Sequence, residues 1–180
     1  MTIDILGTGE SLLEYPAYTG NKKIGVNNIT AYRDVDYLVI VDKPEVFREK
    51  GTFDDVIAHN PKPVYTNLHE EWSGIFNYIN RISLANIKGN IDFSDGKIPW
   101  SSNSTFVAAC IAFIGYFPSE IHLYGVDLNT HPAFGKSDPL RHGKALEHFR
   151  KLNDYFRKSG TIMKTTQTSA LSAFLPVMNH

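Results

Sequence analysis

The sequence predicts an α/β fold with a mostly parallel sheet flanked by helices, on three observations. Short β-branched runs bounded by Gly, Asp, Asn or Pro recur along the chain, as in Thr2 to Leu6 and Tyr37 to Val41. Stretches with apolar residues at helical spacing lie between them. Strands that alternate with helices pair in parallel, because a parallel neighbour is reached through a crossover connection.

Thr2 to Leu6, Ile24 to Val26 and Tyr37 to Val41 read as buried strands, and Val64 to Thr66 and Ile121 to Val126 extend the series. Between Glu70 and Ile82 the residues Trp72, Ile75, Phe76, Ile79 and Ile82 predict a surface helix with one buried stripe. Phe106 to Ile114 is apolar on all sides and follows Ser102-Asn103-Ser104-Thr105, a run of good N-cap residues; it predicts a helix packed deep against the sheet. Ala145, Phe149, Leu152 and Phe156 mark a further helix, ended by Ser159-Gly160 before a last strand near Thr161 to Lys164. The segments Lys88 to Ser102 and Asn129 to Gly143, with their glycines and prolines, read as long loops. Together these elements give one Rossmann-like nucleotide-binding domain over residues 1–180, with ligands expected at the carboxyl ends of the strands.

With 42% hydrophobic residues the chain can bury a sizeable core. Lys and Arg total 18 against 19 for Asp and Glu, a net charge of -1, so no global positive field draws in nucleic acid or an acidic membrane. The single cysteine, Cys110, sits in an apolar run and reads as a buried thiol with no intrachain disulfide. The longest apolar run, Phe106 to Ile114, is too short to span a bilayer, and no basic segment leads into a long apolar one at the N-terminus. A cytoplasmic protein without a transmembrane segment is the expectation; homo-oligomerisation stays open.

Seven features carry candidate chemistry, each with a plain structural alternative. Gly7-Thr8-Gly9-Glu10-Ser11 lacks the third glycine of the dinucleotide fingerprint and the Lys of a P-loop. Its glycines permit close backbone approach, and free amides with the hydroxyls of Thr8 and Ser11 could hold an anionic oxygen; a strand-to-loop turn looks the same. Asn27-Asn28 could donate and accept to a base, sugar or acceptor substrate, or simply turn the chain. Asp42-Lys43-Pro44 ends another strand with the same two readings. Ser102, Asn103, Ser104 and Thr105 open a buried helix whose N-terminal dipole suits a phosphate, and capping accounts for one of the four. Gly125 and Asp127 end a central strand, where the aspartate could bind a ribose hydroxyl, position a loop or ligate a metal. His131 and His142 lie in the polar stretch after it, where a neutral imidazole could take a proton, or be merely solvated. No histidine pair has zinc-site spacing. The basic residues Arg141, Lys144, Arg150, Lys151, Arg157 and Lys158 read as a solvated helix face, with an anionic partner as the alternative.

As an ordered set, ILGTGESL, IGVNNITAY, SNSTFVAACIAFIGY, EIHLYGVDL and RHGKALEHFRKLNDYFRKSGTIMKTTQTSALSAFLP resemble the bacterial sialyltransferases of glycosyltransferase family 42. They also resemble the neighbouring domain of unknown function 115 group, which includes archaeal 6-hydroxymethylpterin diphosphokinases. The first resemblance implies metal-independent, inverting transfer of a sugar from a CMP-linked donor to a glycan or glycolipid acceptor, with no cofactor. It implies that Gly7 to Ser11 meet the donor phosphate or ribose, that Asn27 or Asn28 stands near donor and acceptor, and that Ser102 to Thr105 contact phosphate. Gly125 to Asp127 would be the nucleotide-binding turn, and His142, or His131, the base. Thr8 stands where the transferases have Asn, and Asn129 to Gly143 carries none of their lid tyrosines. The second resemblance implies diphosphate transfer from ATP with Mg²⁺ on Asp127 and Asp42. A non-catalytic nucleotide-binding or interaction module is the third expectation.

Overall fold

The computed structural model describes residues 1–58, 63–128, 130–131, 135–136 and 139–178, without the side chains of 130–131, 135–136 and 139–141. Strands β1 (Thr2–Leu6), β2 (Lys22–Val26), β3 (Tyr37–Val39), β4 (Val64–Thr66), β5 (Ile79–Arg81) and β6 (Glu120–Tyr124) follow in sequence. β7 (Thr130–His131) and β8 (Gly135–Lys136) form a small antiparallel pair, and β9 (Ile162–Thr165) comes last. Seven of these make one sheet in the order β5-β4-β3-β2-β1-β6-β9, and every pairing in it is parallel. With its flanking helices this is an α/β Rossmann-like domain.

The crossovers are helical where the sequence supports it. α1 (Pro44–Glu49) starts with proline at its first position, where no amide partner is needed. α2 (Phe53–Ile57) and α3 (His69–Trp72) are short. α4 (Ser104–Tyr116) is the buried helix the apolar run predicts, with every residue from Ser104 to Phe113 buried. Asn103 caps it, its side chain accepting from the Thr105 amide at 2.9 Å. α5 (Pro139–Lys158) is amphipathic, with Ala145, Phe149, Leu152 and Phe156 buried. Rings tie α4 to α5: Phe113 stacks on Phe156 at 4.4 Å, and Phe106 meets Phe149 edge-on at 5.3 Å.

Alternation sorts the strand residues onto two faces. Ile3, Ile5, Ile121, Leu123 and Met163 join α4 and α5 in one core. Leu6, Leu38, Ile40 and Val64 join Ile29, Phe47, Val56 and Trp72 in the other.

Two expectations are corrected. Glu70 to Ile82 is not one helix: α3 stops at Trp72, Gly74 adopts φ +82, and the chain re-enters the sheet as β5. The spacing of Trp72 and Phe76 instead serves an aromatic cluster, in which Trp72 lies 5.4 Å from Phe76 and 5.8 Å from Phe47. The stretch Asn129 to Gly143 is not all loop, since α5 already begins at Pro139 and takes in His142. Asn129 lies outside the described residues.

Candidate functional site

From β1 the chain moves outward through β2 to β5, then returns through α4 to β6 on the other flank of β1. The carboxyl ends of β1 and β6, paired through Leu6 and Tyr124, are therefore the topological switch point where α/β sheets bind ligands. α4 leads by its C-terminus into the start of β6, so its N-terminus lies at this same edge. α5 precedes β9 in the same sense, which brings His142 to that edge as well.

The two loops leaving β1 and β6 touch backbone to backbone. Gly7 N donates to Tyr124 O at 2.8 Å, and Gly9 N donates to Gly125 O at 2.9 Å. A Cβ on Gly7 would stand 2.4 Å from Gly125 O, one on Gly125 2.3 Å from Gly7 O, and one on Gly9 2.5 Å from Asp127 Oδ2. These contacts, rather than a ligand, already require glycine at the three positions. Thr105, in the first turn of α4, closes the third side: its Cγ2 lies 3.1 Å from where a Gly7 Cβ would be.

Asp127 is the centre of this junction. It is 4% exposed, its Oδ2 accepts from Ser11 N at 3.0 Å, and its carbonyl accepts from Ala170 N at 3.0 Å. Ser11 Oγ accepts from Gly125 N at 3.0 Å, and Ser169 Oγ donates to Val126 O at 2.6 Å. The amides of Gly9 and Ser11 are thus committed to the protein, the first to Gly125 and the second to Asp127. Its other oxygen, Oδ1, is buried with no hydrogen-bond partner among the described residues.

The same condition recurs along the edge. Asn27 Oδ1 after β2, Asn67 Oδ1 after β4, and Thr165 and Thr166 Oγ1 at the end of β9 are also buried and unpartnered. Asn27 additionally holds φ +55, a left-handed conformation that asparagine tolerates better than most residues. Asn28 caps the 3-10 turn Ile29–Ala31 without a side-chain hydrogen bond. At α4, Asn103 and Thr105 are engaged with each other, the Thr105 hydroxyl also donating to Asn103 Oδ1; Ser104 is 9% exposed. Thr8 and Ser102 are half-buried beside them.

His142 is a half-buried residue in the first turns of α5. His131 belongs to β7 by its backbone, and its side chain lies outside the described residues. Asp42 is separated from this centre, since β3 and β6 lie three strand intervals apart, about 14 Å. Among the described residues no group of three or more His, Cys, Asp or Glu is placed to hold a metal ion. No described helix is long and apolar enough to cross a membrane.

Asn67, Thr166 and the pair Ser101–His148 were not legible as site residues. Their sequence contexts are an ordinary strand end, a polar turn and a helix face. Comparison with protein-family models, characterised proteins and solved structures finds no match.

Proposed function

We propose that this protein is a nucleotide-sugar-dependent glycosyltransferase that uses a CMP-linked donor and a glycan or glycolipid acceptor, without a metal. The observation that carries the reading is the unmet acceptor Asp127 Oδ1 at the β1/β6 switch point, next to the N-terminus of a 13-residue helix. A ligand for this edge needs hydroxyl or amino donors for Asp127 and Asn27, and negative charge for the start of α4. A nucleotide sugar carries both: ribose and sugar hydroxyls flank its phosphate. The orphaned oxygens are closed to water, so a ligand reaches them as their side chains turn, exchanging an unmet acceptor for a bond.

In the proposed reaction the acceptor hydroxyl oxygen bonds to the anomeric carbon while the bond from that carbon to the donor's phosphate oxygen breaks, its electron pair leaving with CMP. The hydroxyl proton passes to an imidazole, His142 or His131. The dipole and amides at α4 stabilise the departing phosphate.

A thermal-shift panel of CMP, CDP, UDP, GDP and ATP, each with and without Mg²⁺, tests the reading, because selective binding raises apparent stability. Stabilisation by CMP without metal is expected. Stabilisation by ATP only with Mg²⁺ would replace transfer of sugar with transfer of diphosphate, and a flat panel would reject a nucleotide site.

A further inference from the structure

His148 lies on α5 away from the switch point, yet it reaches the segment that starts α4. Its Nδ1 is 2.8 Å from Ser101 Oγ, and its ring meets Phe106 edge-on at 6.4 Å. Ser101 is 3% exposed, which shields that bond from competing water. The far side of the imidazole is closed by backbone. A Cβ on Gly89 would stand 2.1 Å from Nε2, and Gly89 holds φ +77, so a side chain at 89 is excluded on both counts.

Gly89 and Ser101 are the two ends of one loop. Gly89 N donates to Trp100 O at 2.9 Å, Lys88 Nζ sits 5.0 Å from the centre of the Trp100 ring, and Trp100 Nε1 donates to Ala85 O at 2.8 Å. The imidazole, on α5, bonds one end of this closure, stands against the other, and lies beside Phe106 in the first turn of α4. Ser101 is followed directly by Ser102 to Thr105, so the position of that turn depends on what holds Ser101.

The surroundings of the ring disfavour its charged form. Burial lowers the pKa of His148 below the ordinary histidine value; Glu147 opposes the shift, while Lys151, Lys88 and Lys144 add to it. Protonation would make both ring nitrogens donors, so that Nδ1 no longer accepts from Ser101 Oγ, and would put a positive charge among three lysines, with Glu147 as the compensating group.

We propose that uncharged His148 is a positioning residue that, through Ser101, fixes the start of α4 and hence the Ser102 to Thr105 turn, and that protonation loosens this hold. The consequence for ligand binding rests on the reading of that turn as the phosphate-facing part of a nucleotide site.

The test is an NMR titration of the imidazole and of the Ser101 to Thr105 amides, from about pH 8 to about pH 5. The account expects His148 to titrate below the free value of about 6.5, with the amides moving at the same midpoint and losing that step in His148→Gln. A midpoint at or above the free value, or amides that ignore it, would overturn the proposal without any ligand present. Calorimetry with CMP supplies the second readout. The CMP phosphate itself titrates in this range, so wild type is compared with His148→Gln at each pH. The wild-type affinity should fall by about threefold more on acidification, and His148→Ala should bind more weakly than His148→Gln throughout. If CMP binds neither protein near neutrality, the nucleotide reading fails, and the amide titration still decides the positioning role.

Discussion

Two buried aspartates sit on adjacent strands or their ends, and they are treated in opposite ways. Asp4, in the middle of β1, is fully buried. Its Oδ2 accepts from Thr19 Oγ1 at 2.7 Å and from Tyr15 OH at 3.2 Å, and its Oδ1 accepts from Asn21 Nδ2 at 3.0 Å. His122 stands 3.6 Å away and bonds Glu120 at 2.8 Å. Asp127, just past β6, has one oxygen bonded and the other unmet. The fold can therefore satisfy a buried carboxyl group completely where the role is to tie a loop to the sheet. Leaving one acceptor unmet costs about 1–3 kcal/mol, a cost that a donor on the ligand would remove under the proposed function.

Removing the frame around Asp127 should have the largest effect. Gly125→Ala would put a Cβ 2.3 Å from the Gly7 carbonyl, at a position with φ +66. Backbone cannot yield there as a flexible side chain would, so a loss above about 4 kcal/mol is expected in urea denaturation. A loss under 1 kcal/mol would show that the two loops are not locked together. Asp4→Ala comes next. It takes the shared acceptor from Tyr15, Thr19 and Asn21, and should cost about 3 kcal/mol while leaving CMP affinity unchanged in the folded protein. Weakened CMP binding in that variant would erase the contrast between the two aspartates.

Much of the fold was legible because burial writes itself into spacing. YLVIV and the alternating IHLYGV declared strands, and the stripe Ala145, Phe149, Leu152, Phe156 declared α5. β5 was hidden because Asn80 and Arg81 are exposed at a sheet edge, where no alternation is imposed. Tertiary packing around Trp72 meanwhile imitated a helical stripe. At the site, the segments were readable but their use was not. GTGES looks like a phosphate cradle, yet its amides serve Gly125 and Asp127. Such partners lie 116 residues apart between Ser11 and Asp127, and no local pattern records them. The bond between Ser101 and His148, 47 residues apart, was invisible for the same reason.

The most direct measurement of the central claim is titration calorimetry of CMP into wild type and Asp127→Asn. The asparagine oxygen can still accept from Ser11 N, so stability should change by no more than about 1 kcal/mol, but the unmet oxygen becomes a donor. Binding by wild type and a loss of at least about tenfold in the variant are predicted. Equal affinity in the two proteins would contradict the assignment of this oxygen to a ligand.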